Sequence, residues 1–472
     1  MKALLRTRTI SVICLIVVAW LKLQLLTGCA NIIPPEGGPR DTIPPHLVSA
    51  DPKDSALNFS GDHLTFLFNE YVDLQDLSNN VMISPTFETN PTIQVKGKTI
   101  TVKLKAKDTL TRNTTYIFNF GNAIKDVNEG NVLKNFKYIF STGSHLDTAT
   151  LSGKVVLAEN GQIDSTLSVL LHRKRDDSAV AKERPEYMVK LDGEGNFHFT
   201  NLPTDTFAIY ALGAQGGGRL YQSKSQFFAF ADSPVVAGKS RPVTLYAYKE
   251  TPSNAAANQS AAAAGKPTGS DRRLRFTPPS GEQQELTKDY VLNFPVPLRN
   301  FDSSKVSMSI DSTFQPVPFS TLLDTTRKVL HFKSQWKEAT KYNLVLDKTF
   351  ATDTAGRQLL KTDTLFFTTK SREDYGNLTI KFSKLDTSLH PVLQFVQNNE
   401  VILSVSIKSG VFSQNLFTPG DYELRILYDR NNNGKWDPGE FFKLRKQPEI
   451  VHPLPDKITV KPAWDNVFDK SL

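Results

Sequence analysis

His63-Leu64-Thr65-Phe66-Leu67-Phe68, Thr99-Ile100-Thr101-Val102-Lys103-Leu104 and Tyr116-Ile117-Phe118-Asn119-Phe120 decide how the rest of the chain is read. Apolar and polar residues alternate, or nearly alternate, along each of them, which is the period of a strand with one buried face. Composition agrees: 30 Phe and 13 Tyr in 472 residues favour strands, and four Met leave little material for helices. At 39% hydrophobic and 22% charged the chain is that of a folded protein. It is too long for one core, so about three to five modules are expected. The fold class predicted is all-β, a series of tandem β-sandwich modules.

Outward from those strands, the order of features recurs about 226 residues later. Phe68 returns as Phe294, Val81 near Val306, Tyr116 as Tyr342, Asp126 as Asp353 and Phe140 as Phe366. Asp126-Val127-Asn128-Glu129-Gly130 and Asp353-Thr354-Ala355-Gly356 read as matching turns, in which an Asx side chain bonds the backbone ahead of it and a glycine follows. A repeat of this length is a duplicated domain and not a solenoid. Residues 46–143 and 272–370 are therefore expected to form one kind of module. Both resemble an Ig-like sandwich of the SbsA type. Between them, residues 150–249 contain Asp192-Gly193-Glu194-Gly195-Asn196-Phe197-His198-Phe199-Thr200-Asn201-Leu202-Pro203 and then Phe207-Ala208-Ile209-Tyr210-Ala211. This resembles the carboxypeptidase regulatory-like, transthyretin-type sandwich. Residues 375–462 carry the related Pro419-Gly420-Asp421-Tyr422-Glu423-Leu424-Arg425-Ile426-Leu427, which leaves 463–472 as a tail. An alanine-rich stretch within 251–271 lacks large apolar residues and reads as a flexible linker, with a short alanine helix as the alternative, so relative motion of the two halves is expected.

The N-terminus reads as an export signal. A basic start with Lys2, Arg6 and Arg8 precedes the apolar run Ile10 to Trp20, which is short for a bilayer span. Leu26-Thr27-Gly28-Cys29 follows and resembles the lipobox of bacterial lipoproteins. The resemblance implies removal of residues 1–28 as a signal peptide and acylation of Cys29, where two or three chains give stable anchoring. Residues 29–45 are rich in Pro and Gly and read as a tether. Their Gly37-Gly38-Pro39-Arg40-Asp41-x-x-Pro44-Pro45 string resembles the start of a group of Bacteroidota lipoproteins with SbsA-type Ig-like domains. Ala30 is not the Asp that resembles an inner-membrane retention signal, which favours the outer membrane and leaves its face open. Without Lys2, Arg6, Arg8 and Lys22 the formal charge falls from +8 to about +4, with no basic run, so nucleic acid is a poor partner. Of the two cysteines, Cys14 would leave with the leader and Cys29 would carry lipid, so the body has no disulfide.

The best candidate site is Asp429-Arg430-Asn431-Asn432-Asn433-Gly434-Lys435-Trp436-Asp437-Pro438-Gly439-Glu440. The spacing is that of a calcium loop: Asp429, Asn431, Asn433, the Lys435 carbonyl, Asp437 and Glu440 supply the oxygen donors and Gly434 the bend. The flanks read as strands, so this is no helix-loop-helix, and a hairpin held by Asx-turns is the alternative. A bound Ca²⁺ is expected to be structural, and no other cofactor is required. The eight His form no close zinc pair, and neither a G-x-S-x-G elbow nor a P-loop occurs, so no catalytic residue is named. The expectation is a non-catalytic structural or interaction subunit, lipid-anchored at the outer membrane and partnered by a β-barrel protein or complex for assembly, secretion or transport. The alternative is a surface module binding a glycan or another ligand through exposed aromatics, for which Tyr187, Tyr221, Phe227, Phe228, Trp336 and Trp464 are candidates.

Overall fold

The computed structural model describes residues 15–18, 20, 40–105, 110–213, 219–251, 273–279, 283–311 and 313–472. Leu26, Thr27, Gly28 and Cys29, most of the tether and the 252–272 linker lie outside them. Among the described residues no helix is long and apolar enough to cross a membrane. The body is nearly all-β, as the alternation predicts, and falls into four sandwich modules.

In module 1 one sheet runs in the order Leu47–Asp51, His63–Phe68, Thr99–Lys103, Thr92–Lys96, and the facing sheet in the order Phe136–Ser141, Thr115–Gly121, Met82–Ser84. The register sets Leu64 opposite Val102 and Phe66 opposite Ile100, so both strands send the same alternate side chains inward. There they meet Tyr116, Phe118, Phe120, Tyr138 and Phe140 in a core with many edge-to-face ring pairs. A small third sheet, Val72–Leu74 with Ile124–Asp126 and Val132–Leu133, closes one end.

Module 3 repeats this plan. Tyr290–Asn293, Val329–Lys333 and Ser320–Leu323 form one sheet, and Asp363–Thr369, Lys341–Leu346 and Val306–Ile310 form the core of the other. The repetition reaches single hydrogen bonds. The Tyr116 hydroxyl accepts from the Thr111 N–H at 2.9 Å and the Tyr342 hydroxyl from the Lys337 N–H at 2.9 Å. The Thr114 N–H donates to Thr142 Oγ1 at 3.0 Å and the Thr340 N–H to Thr369 Oγ1 at 3.0 Å. One expected equivalence needs correction. Tyr116 pairs with Phe140, whereas Tyr342 pairs with Phe367 and not Phe366. Phe140 is fully buried and Phe366 is 70% exposed. The stretch from Tyr342 to Asp353 is one residue longer than that from Tyr116 to Asp126, and a one-residue slip turns a strand side chain to the other face.

Modules 2 and 4 share a second plan. In module 2, Asn196–Leu202, Ala149–Leu157 and Val243–Ala247 form one sheet whose first and last strands in sequence, Ala149–Leu157 and Val243–Ala247, run parallel. It faces Tyr187–Lys190, Ser168–His172, Thr206–Leu212 and Phe228–Phe230. Module 4 has Val411–Phe417, Gly376–Ser383 and Asp465–Ser471 against Glu400–Ser406, Pro391–Gln397, Gly420–Tyr428 and Val451–Pro453. The 463–472 segment is thus not a tail, because Asp465–Ser471 pairs in parallel with Gly376–Ser383 along its whole length. Asn466 fixes its entry: its amide donates to the Asn377 carbonyl at 3.2 Å while its oxygen accepts from the Lys461 N–H at 2.9 Å.

Candidate functional site

The connection between Gly420–Tyr428 and Val451–Pro453 contains the Asp429 to Glu440 loop and is the most elaborated excursion of module 4. Asp429 is fully buried as it leaves the strand. Its Oδ2 accepts from the Gly434 N–H at 2.6 Å, and Gly434 takes the left-handed φ of +77° that the bend requires. Asn431 Oδ1 accepts from the Asn433 N–H at 3.1 Å, and Asn433 Oδ1 from the Lys435 N–H at 2.7 Å. Both asparagine amides donate to Asp437 Oδ2. Five of the six expected donors therefore sit in one tight loop.

Glu440 is placed differently. Its backbone bridges Lys446, with N–H to carbonyl distances of 2.9 and 2.8 Å, in the turn after the loop. The acidic side chain that enters the loop is Glu449, only 1% exposed. Its two oxygens accept from the N–H groups of Arg430 at 2.8 Å and Asp437 at 3.0 Å, and its carbonyl accepts from the Trp436 indole at 2.8 Å. Sequence reading missed Glu449 because it lies twelve residues past Asp437, beyond the window of a contiguous loop motif. The run Gln447-Pro448-Glu449-Ile450-Val451 gives no periodic hint that a buried acid precedes a strand. Among the described residues no three His, Cys, Asp or Glu side chains form a ready cage, and a calcium loop would also draw on amide and carbonyl oxygens.

The same excursion carries Phe441 into module 2. Phe441 is fully buried, with ring centroids 4.9 Å from both Phe228 and Phe230 and 5.8 Å from Tyr210. These residues, with Leu170, Leu212, Tyr221 and Tyr248, form a core on the outer face of the Thr206–Leu212 sheet. Trp436 bridges from it to Val392, Leu427 and Val451 on the outer face of the module 4 sheet. Polar contacts lock the seam. The Val451 N–H donates to the Ala158 carbonyl at 2.9 Å. Gln447 donates to the Phe230 carbonyl at 3.0 Å and to Asp232 at 2.8 Å, and Arg445 pairs with Asp177 while lying over the Phe230 and Phe441 rings. A Cβ on Gly439 would come within 2.5 Å of the Tyr248 ring, so only glycine allows that approach. The expected freedom between halves is therefore corrected: modules 2 and 4 share a buried aromatic core. Nothing in the alternation of Phe441-Phe442 distinguishes a ring that enters its own core from one that enters a neighbour's.

At this seam Glu250 is nearly buried, receives the Tyr221 hydroxyl at 3.0 Å and pairs with Lys224 at 3.0 Å. Burial and then the Glu250 charge push the Tyr221 phenol upward. Module 1 meets module 2 through the Thr86 N–H to Glu186 carbonyl bond at 2.8 Å and Arg184 to the Phe87 and Glu88 carbonyls. Module 3 meets module 4 where the Tyr375 hydroxyl donates to Glu285 at 2.7 Å and Lys370 pairs with the same carboxylate at 2.6 Å.

Of the aromatics considered for ligand binding, Tyr187, Tyr221 and Phe228 are buried, and Phe227 and Trp336 are half-buried. Trp464 stands out at 62% exposed, with Lys461 over its ring at 4.9 Å. His198 faces solvent, while His172 is buried and its imidazole is pushed down to about 4 by desolvation, with Glu183 opposing. A groove of about 740 Å³ in module 3 is lined by Ile310, Val317, Phe319, Tyr342, Lys333 and Lys337. No acidic, histidine or cysteine side chain lines it among the described residues.

Residues 41–142 match the bacterial Ig-like domain family, which covers module 1. No curated protein matches the chain. Among solved structures, the chain is similar to the Bacillus anthracis TIE protein at 11% identity, covering 93% of this chain and 76% of that one with a TM-score of 0.17. It is also similar to BcpA, the major pilin subunit of Bacillus cereus, at 11% identity, 69% and 99% coverage and a TM-score of 0.18. The N-terminal part of the bacterial S-layer protein SbsC matches at 15% identity, 41% and 44% coverage and a TM-score of 0.16.

Proposed function

We propose that this chain is a lipid-anchored, non-catalytic structural or interaction subunit of the outer membrane, in which two Ig-like and two transthyretin-like modules act as one body. The observation that carries this reading is the seam. Phe441 from one transthyretin-like module fills a core on the other, so the surfaces of the two halves are held at a fixed relation. A body of this kind spaces or docks partners, which requires rigidity and no reacting group. Leu26-Thr27-Gly28-Cys29 supplies the anchor in this reading, through a thioether at Cys29. The partner class is an outer-membrane β-barrel protein or complex.

The test is co-purification in mild detergent of the full-length protein and of Cys29→Ala from native membranes, with crosslinking mass spectrometry of the wild type. The proposal expects a membrane β-barrel protein crosslinked to module surfaces of the wild type and a strongly reduced yield with Cys29→Ala. Recovery of the wild type alone, with no crosslinked membrane protein, contradicts it. A second reading, a surface module for a ligand, is favoured by the exposed Trp464 beneath Lys461. It predicts quenching of Trp fluorescence by a soluble glycan that Trp464→Ala removes.

A further inference from the structure

Three carboxylates belong to one loop: Asp429, Asp437 and Glu449. Asp429 and Glu449 are 0% and 1% exposed, and none of the three has an ion-pair partner among the described residues. Buried negative charge without a cation is strongly disfavoured. Glu449 is compensated in part by two backbone N–H donors, and Asp437 by two amides. Asp429 is not: with Oδ2 bonded to Gly434, its Oδ1 is buried and has no hydrogen-bond partner. The carboxylate faces the loop, since its Oδ2 meets Gly434 there, and its unpartnered buried Oδ1 calls for a positively charged ligand.

We infer that the loop binds a divalent cation of the calcium type and that the bound ion clamps module 4 onto module 2. The donors are all oxygen: Asp429 Oδ1, the Asp437 carboxylate, the Lys435 carbonyl and the amide oxygens of Asn431 and Asn433. Each amide oxygen keeps a second lone pair beside its backbone bond. A hard, oxygen-only set in a flexible loop suits Ca²⁺ over a softer transition metal. Glu449 replaces Glu440 as the acid of the loop, in the role of a positioning residue that ties Arg430 and Asp437 together. Coupling to the seam follows from chain distance. Phe441 lies four residues after Asp437, and Trp436, bonded to the Glu449 carbonyl, packs in both outer-face cores. A loop fixed by metal fixes the base from which Phe441 enters module 2.

The experiment uses the full chain, stripped with chelator and titrated with Ca²⁺ alone, with terbium as an optical probe sensitised by Trp436 and with hydrogen exchange read by mass spectrometry. Saturating Ca²⁺ is expected to slow exchange roughly tenfold or more both in 429–449 and at Phe228–Phe230 of module 2, leaving His63–Phe68 of module 1 unchanged. Asp429→Asn is expected to abolish the terbium signal and the slowing. Phe441→Ala is expected to keep the terbium signal while losing the slowing at Phe228–Phe230, which separates metal binding from clamping should the first variant fold poorly. Identical exchange of the wild type in chelator and in about 5 mM Ca²⁺ overturns the site, since extracellular calcium modules bind at about 0.1–1 mM. Slowing confined to 429–449 overturns the clamp.

Discussion

At the scale of single residues, buried side chains with unequal partners set the responses to pH and mutation. Burial holds the His172 imidazole down to about 4, below its ordinary value of about 6.5. Between those values the unfolded chain binds a proton that the folded chain refuses, so stability falls as pH drops from about 6.5 to 4, by up to about 3 kcal/mol. Thermal melts across that range are expected to show this slope, and a His172→Gln variant to flatten it. Phe140 and Phe366 give a second test, because both look alike in sequence and face opposite ways. Phe140→Ala is expected to cost about 3–5 kcal/mol and Phe366→Ala no more than about 0.5 kcal/mol in chemical denaturation. Sequence alone assigned the two phenylalanines one role. Alternation reports that a strand has a buried face, but a single inserted residue upstream changes which of Phe366 and Phe367 occupies it.

At the scale of elements, Asp465–Ser471 and the 429–449 excursion were the least legible in sequence, for different reasons. Asp465-Asn466-Val467-Phe468-Asp469-Lys470-Ser471 is mostly polar, since Val467 faces solvent and Asn466 takes an inward position through its hydrogen bonds. A chain ending at 462 is expected to lose the cooperative unfolding of module 4 in calorimetry, because Gly376–Ser383 would lose its parallel partner and become an edge. The strands Leu64, Phe66, Ile100 and Val102 build were plain from their period, as they lie on sheets with one dry face. Asp429, Asn431, Asn433 and Gly434 were also plain, because loop chemistry fixes their spacing. Glu449 was not, since folding and not sequence distance brings it to Arg430 and Asp437. Phe441→Ala is expected to lower stability by about 3–5 kcal/mol if the two modules melt together, and to split one calorimetric transition into two.

At the scale of the whole molecule, two repeats of a two-module pair meet through their inner members, with modules 1 and 3 attached through edge contacts to modules 2 and 4. The duplication was legible because Tyr116 and Tyr342 anchor the same hydrogen bonds. The docking of the halves was not, because an alanine-rich linker announces separation while the seam depends on a ring 170 residues or more past it. The proposed role beside a membrane requires that the body be fixed there at one end, which makes Cys29 the residue to test. The decisive measurement is metabolic labelling of the expressing cells with an alkyne fatty acid, followed by mass spectrometry of the mature N-terminus. Label is expected on the wild type and none on Cys29→Ala, with acylated Cys29 as the first residue of the mature chain. An unlabelled wild type, or a mature chain that begins elsewhere, would contradict it.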